Sequence, residues 1–312
     1  MTEAPVVPAA AFGSVAVDDP TAPVAESTLC SAPAMDLRRL NRAPAGVAWR
    51  WRSARRSYAA RRFHTEVRFD AGASPMLLSP HWDDAVFDCW GLVNAPERLT
   101  VVNVFAGIPP AGPTTRWDRI TGASESASRA RERIAEDSAA LADAGRTPHN
   151  LALLDAEYRA PGPAPSLREI DRMLSSVAPV ASRLYAPAAL GQNQDHRLVR
   201  WYAQMLLRQG IPVSLYADLP YCVVHGWPYW VDGSPPDPHR DVDAFWRTFL
   251  TDVPELRDLH RARVTRLDDQ DAAAKLRSMR SYRTQFPSLD GGATGLLSNP
   301  ATHRYEVLWD LD

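Results

Sequence analysis

Lysine is almost absent from this 312-residue chain, where Lys275 stands alone beside 34 arginines. With Ala and Pro abundant, that bias is assigned to genome composition before function. Cysteine is scarce as well. Cys30, Cys89 and Cys222 are too few and too scattered for a disulfide scaffold or a Cys-rich zinc module, and a reducing, cytoplasmic compartment is the expectation. No apolar run reaches the roughly 18 residues of a membrane-spanning helix, so no membrane is expected as partner. No Lys or Arg precedes Arg38, and no apolar stretch leads to a cleavage site, so no secretory signal is expected. A net charge of -2 gives no overall reason to expect nucleic acid.

What is present is a globular composition, 45% apolar and 23% charged, long enough for one large domain or two small ones. Charge divides the chain unevenly. Residues 1–35 hold Glu3, Asp18, Asp19 and Glu26 and no base, in a context too poor in large apolar residues to fold alone; a disordered tail is expected. An Arg-rich extension follows over residues 36–72. It carries ten arginines against Asp36 and Glu66 within 36–68. Trp49 to Phe63 reads as a basic helix that packs on, or tethers to, the acidic body formed by the rest of the chain, in preference to an anionic partner.

From residue 73 onward, short apolar runs alternate with longer helical stretches. Met76 to Ser79, Leu99 to Ala106, Asn150 to Leu154, Ser182 to Ala186 and Pro212 to Ala217 read as buried strands. Helices are expected over Asp84 to Asn94, Ser124 to Ala144, Ser166 to Ser176 and His196 to Gln209. The alternation predicts an α/β, Rossmann-like, mostly parallel sheet with helices on both faces. Ligands gather at the carboxyl ends of such strands.

Two polar clusters follow strands. In Ser79-Pro80-His81-Trp82-Asp83-Asp84, His81 and Asp84 can converge on one cation. Imidazole and carboxylate donors suit Zn2+, with iron or another first-row divalent ion as the alternative. Asp83 is then free to act on a water at that cation. The competing reading has Asp83 or Asp84 merely capping the next helix, which leaves His81 and the second carboxylate unexplained. In Gly191-Gln192-Asn193-Gln194-Asp195-His196, His196 offers a third ligand and Asp195 a supporting carboxylate. Three protein ligands leave a position open, the catalytic pattern. The competing reading of His196 alone is surface decoration.

These stretches resemble the PIG-L (LmbE-like) metal-dependent N-deacetylases, in particular their actinobacterial members. His81-Trp82-Asp83-Asp84 is similar to the family's His-Pro/Leu-Asp-Asp, and Asn193-Gln194-Asp195-His196 matches in part its His-Pro-Asp-His. Weaker similarities run in order through Thr100 to Gly107, Trp117-Asp118, Arg133-x-x-Glu136-Asp137, Leu153 to Arg159, Ala217 to Tyr221, Lys275 to Gln285 and Glu306 to Trp309. The resemblance implies a deacetylase domain over residues 73–312, with His81, Asp84 and His196 on zinc and Asp83 as general base. It implies a linear amide as substrate, an N-acylated amino sugar or glycoside, with a homo-oligomer left open.

Two departures from the family pattern matter. Trp82 replaces a smaller residue and predicts a bulkier, more apolar pocket rim that touches substrate. Asn193 stands where the family has a His that assists the oxyanion or the leaving group; an amide can donate a hydrogen bond but supplies no proton. A divergent relative that binds its ligand without hydrolysis, or runs another reaction in the cleft, is the alternative reading. His225 is a candidate replacement in the cleft, against a solvated loop residue. Arg133 and Glu136, one helical turn apart, either position a polar substrate or form a surface ion pair. The aromatic residues between Tyr221 and His239, with Trp90, Trp117, Trp201, Trp246 and Trp309, read as core or lid before sugar-stacking surface. That stretch and the loop from Ile108 to Ser124 are where substrate selection is expected.

Overall fold

The computed structural model describes residues 64–311 apart from Pro113, Gln192 and 292–294. The tail expected over 1–35 and the basic helix expected from Trp49 to Phe63 lie outside the described residues. In chain order the elements begin with β1 (Arg68–Phe69), β2 (Met76–Ser79), α1 (Asp84–Asp88), α2 (Trp90–Val93) and β3 (Thr100–Asn103). Next come α3 (Arg116–Ile120), α4 (Ser126–Ala142), β4 (His149–Asn150), α5 (Leu167–Val177), β5 (Val180–Ala181), β6 (Leu184–Pro187), α6 (Gln194–Leu207) and β7 (Val213–Tyr216). The last are α7 (Tyr229–Asp232), α8 (Val242–Leu250), β8 (Arg263–Arg266), α9 (Asp269–Met279), α10 (Phe286–Leu289), α11 (Pro300–His303) and β9 (Tyr305–Leu311).

Seven strands form the main sheet in the order β4-β3-β2-β6-β7-β9-β8. The first five are mutually parallel, and β9 runs antiparallel to both β7 and β8. With helices around it, the sheet is the mostly parallel α/β arrangement the alternation predicts. Every residue of β2 and β7 is buried, which is why these strands are continuous apolar runs rather than alternating ones. The chain leaves β2 in one direction through β3 and β4, then crosses to β6 on the other side of β2. That reversal opens a crevice at the carboxyl ends of β2 and β6.

Helix starts follow local chemistry. Ser166 caps α5 by accepting from the Glu169 N–H. Asp268 caps α9 through the Asp271 N–H. The single helix expected from Asp84 to Asn94 is broken at Cys89, whose backbone leaves the helical region at φ −133° and ψ 35°. Near the break the Gly91 N–H goes to Glu306 Oε2 at 2.9 Å instead of an intrahelical carbonyl. The strand expected over Asn150 to Leu154 pairs as a ladder only at His149–Asn150. Beyond it the chain runs close against Gly107, where a Cβ would sit 2.6 Å from the Ala152 carbonyl oxygen. Strands β8 and β9 were not among the expected ones. β9 is buried from Glu306 to Trp309, and β8 is an Arg-flanked edge.

Residues just before β2 are tied to α5 and to β5, with β1 and β5 forming a separate two-stranded sheet. Thr65 Oγ1 and the Glu66 N–H donate to Asp171 at 2.5 and 2.7 Å, and β1 pairs with β5. Of the aromatic residues in the Tyr221 to His239 stretch, Trp227 is core and Trp230 packs against it, while Tyr229 is exposed; Trp246 meets Trp227 at 6.2 Å, Trp230 at 5.8 Å and Trp309 at 5.8 Å between ring centroids. Lys275 is fully buried on α9, 2.7 Å from Glu306 Oε1. No helix among the described residues is long and apolar enough to cross a membrane.

Candidate active site

Ser79 ends β2 and fixes the turn that follows. Its hydroxyl donates to the His81 carbonyl at 2.5 Å and accepts from the Ala85 N–H at 2.9 Å. Asp84 Oδ2 accepts the His81 backbone N–H at 2.7 Å and lies 3.4 Å from His81 Nδ1. Asp83 occupies the cap position of α1 by backbone alone, without a side-chain capping bond. Helix capping therefore accounts for neither carboxylate. On the adjacent strand end, Asn193 Oδ1 caps α6 by accepting from the Asp195 N–H at 2.9 Å. This cap delivers His196, whose Nε2 lies 3.5 Å from Asp84 Oδ1. His81, Asp84 and His196 thus present ligand atoms within 4.8 Å of one another, all three residues buried.

The residues fit a divalent cation. His196 Nδ1 is 3.0 Å from Asp218 Oδ2, while its Nε2 is buried with no hydrogen-bond partner among the described residues. An imidazole whose Nδ1–H is taken by a carboxylate offers its Nε2 lone pair outward, the usual arrangement behind a metal-ligating histidine. The electrostatics agree. Burial opposes protonation of His81, yet Asp155, Asp195 and Asp84 hold its pKa well above the ordinary value. Burial opposes His196 likewise, and Asp84 and Asp218 raise it. Burial works against ionised Asp84, but His196 and His81 keep that carboxyl below the usual range. Burial pushes Asp83 up against the pull of Arg133. So many carboxylates around two imidazoles make a pocket for positive charge.

Beyond these groups, Asp195 Oδ2 sits 3.3 Å from His81 Nε2 and also accepts the Ala156 N–H at 2.8 Å. Its Oδ1 is held by Arg159 at 2.6 Å. Arg133 approaches Asp83 at 3.4 Å and Asp155 at 3.7 Å, its guanidinium 4.5 Å above the Trp82 ring. Tyr221 meets His196 edge-on at 5.5 Å. Only glycine fits at position 191, because a Cβ there would stand 2.6 Å from the Tyr221 ring.

The structure gathers His81, Asp83, Asp84, Arg133, Asn193, Asp195 and His196, and it corrects three expectations. Trp82 does not form the pocket rim: it is 0% exposed, packed with Ala106 and Ala130, whose small side chains leave room for an indole beneath Arg133. His225 is exposed and meets Phe245 edge-on at 4.5 Å, with none of the cluster among its contacts. Glu136 is no ion-pair partner of Arg133; it accepts from the Thr284 N–H and hydroxyl at 3.0 and 2.7 Å. Asp155, Arg159 and Asp218 are not singled out as site residues by the sequence, although they lie in the Leu153 to Arg159 and Ala217 to Tyr221 stretches of the resemblance, one after β4, one just beyond it and one after β7.

Asp137, next to Glu136, accepts from Asn103 Nδ2 at 2.6 Å and the Tyr282 hydroxyl at 2.8 Å. Burial pushes its carboxyl up to about 7. A folded-state pKa raised above the unfolded one stabilises below the unfolded value, and that stability is lost as pH rises through the folded value. Between pH 5 and pH 8 the loss is on the order of 3 kcal/mol. Asp137→Asn keeps the shape and removes the titration. Urea unfolding at the two pH values should show the variant's stability relative to wild type improving by that amount; an unchanged difference refutes the assignment.

No family model matches the chain. It is 31% identical over 163 residues, 47% of its length, to the 2'-N-acetylparomamine deacetylase of Streptomyces fradiae; the match spans 57% of that relative's length. Its structure is similar to that of the A40926 pseudoaglycone deacetylase Dbv21, with TM-score 0.54, 24% identity, and coverage of 77% of this chain and 97% of that one. The zinc-inhibited form of teicoplanin deacetylase Orf2 is similar at TM-score 0.56 and 22% identity, covering 76% of this chain and 97% of the other. The fold is that of the PIG-L-type deacetylases. The resemblance read from His81 to Asp84 and from Asn193 to His196 agrees with it, and both stretches sit at the switch point of that fold.

Proposed function

We propose that this protein is a divalent-metal N-deacetylase, with zinc as its ion, that removes an N-acetyl group from an amino sugar, free or carried on a glycosylated specialised metabolite. The observation that carries the reading is the convergence of His81 Nδ1, Asp84 and His196 Nε2 beside the buried, uncapped carboxylate of Asp83. His81, Asp84 and His196 would hold the ion, which when bound would supply Lewis-acid chemistry, polarising an amide carbonyl and lowering the pKa of a water toward about 7. Asp83 accepts the proton of the attacking water and returns it to the leaving amine. Arg133 orients Asp83 through their contact at 3.4 Å. Asp195 and Asp218 hold the outer nitrogens of the two histidines. Asn193 has its Oδ1 engaged by the α6 cap, and its amide N–H2 serves as donor to the developing oxyanion.

The names of the similar proteins support the substrate class: one is a deacetylase of 2'-N-acetylparomamine, another of the A40926 pseudoaglycone. Zinc is favoured by the mixed imidazole and carboxylate donors. A reducing cytoplasm completes the proposal, in keeping with Cys89 and Cys222 as buried free thiols. The test is zinc content of the purified chain together with amine release from 2'-N-acetylparomamine and from N-acetylglucosaminyl glycopeptides. About one zinc per chain and a free amine are expected. His81→Ala, Asp84→Ala and His196→Ala should each lose tightly held zinc, since each removes one of three protein ligands; full retention in any of them removes that residue from the ligand set.

A further inference from the structure

The short helix α1 carries two buried acids one turn apart, and only the first belongs to the ligand cluster. Asp88, 2% exposed, accepts the Leu219 N–H on Oδ1 at 2.7 Å. Its Oδ2 is buried and has no hydrogen-bond partner among the described residues. Leu219 immediately follows Asp218. Asp218 is 0% exposed, its Oδ1 accepts the Leu190 N–H at 2.9 Å, and its Oδ2 faces His196 Nδ1 at 3.0 Å. A continuous line of contacts therefore runs from Asp88 to the 218–219 peptide, to the Asp218 carboxylate, and to the imidazole of His196.

We infer that Asp88 is a positioning residue for the metal centre: by anchoring the Leu219 N–H it sets the Asp218 carboxylate that orients His196. The inference rests on the proposed metal-dependent reading of the site. The geometry has a further consequence. Asp84 and Asp88 lie on one face of one helix, so the strand end that supplies one ligand also fixes the orientation of another ligand from the far side of the crevice. The part Asp88 plays is that of a hydrogen-bond acceptor of fixed length. Asn can replace it in that part, while Ala and Ser are too short to reach. Carboxylates that orient a metal-ligating histidine typically contribute 10-fold to 100-fold in metal affinity, and loss of their anchor should cost a comparable factor.

The experiment is competition of the full-length chain for zinc against a chromophoric chelator. Asp88→Ala should weaken zinc binding about 10-fold to 100-fold, and Asp88→Asn should stay within about threefold of wild type. Should Asp88→Ala fail to fold, Asp88→Ser serves in its place. In the Asp218→Ala background the Asp88→Ala change should add little, because the contact it supports is already gone. Any of three results overturns the inference: unchanged affinity in Asp88→Ala, an equal loss in Asp88→Asn, or fully multiplicative losses in the double variant. A wild-type chain that takes up no zinc overturns the metal reading as well, which separates the two failures.

Discussion

Asp83→Asn is expected to keep about one zinc per chain and to lose roughly 10²–10⁴ in hydrolytic rate, the range general base catalysis supplies. The asparagine amide fills the same space and can hydrogen-bond a water, but it takes no proton. Asp83 is separable from the proposed ligand set because its ion-pair partner is Arg133, at 3.4 Å, while the three groups proposed to hold the metal belong to His81, Asp84 and His196. Removing its charge leaves Arg133 still facing Asp155 at 3.7 Å, so the fold should survive the change. Zinc content, thermal melting and amine release measured on one preparation decide the matter. A variant that hydrolyses within tenfold of wild type with full zinc would falsify the assignment of Asp83 as base.

Lys275→Ala should destabilise the protein by about 3–5 kcal/mol, the typical cost of breaking a buried ion pair from one side. Lys275 Nζ and Glu306 Oε1 are 2.7 Å apart with side chains 0% and 2% exposed, so removal of the ammonium strands a carboxylate away from water. The second Glu306 oxygen accepts the Gly91 N–H at 2.9 Å and ties β9 to the chain just after the Cys89 break. Pairing Lys275→Met with Glu306→Gln removes both charges and leaves an acceptor for Gly91. Replacement of a whole buried pair is far better tolerated than loss of half of it. Urea unfolding of the single and double variants checks both statements; a single-variant loss below about 1 kcal/mol contradicts the first.

The proposed ligand residues are legible in the sequence because each stands in a dense local pattern. His81 and Asp84 are three apart on a turn after an apolar run, and His196 opens a helix after another. Asp155 and Asp218 fall in the weaker stretches of the resemblance and have no second donor beside them in the chain. They are single acids whose place at the site depends on the strand order β4-β3-β2-β6-β7, which brings loops far apart in sequence to one edge. Trp82 was misread for a related reason. Its neighbours in sequence are site residues, and nothing nearby in the chain announces that Ala106 and Ala130 leave space beneath Arg133. β9 escaped notice because its buried stretch from Glu306 to Trp309 lacks the alternation of a half-exposed strand and includes a charge that only Lys275 explains. Sequence patterns of periodicity and spacing report what neighbours do to one another; pairings across the sheet leave little trace in them.

The burial of Lys275 also fixes how the folded protein meets amine-directed chemistry. As the sole lysine of the chain, it leaves the native surface without a lysine ammonium, since its side chain is 0% exposed. Acylating reagents, lysine-directed cross-linkers and ubiquitin-transferring enzymes therefore find no lysine side chain on the native surface. Labelling at position 275 becomes a one-site clock for opening of the region where α9 meets β9.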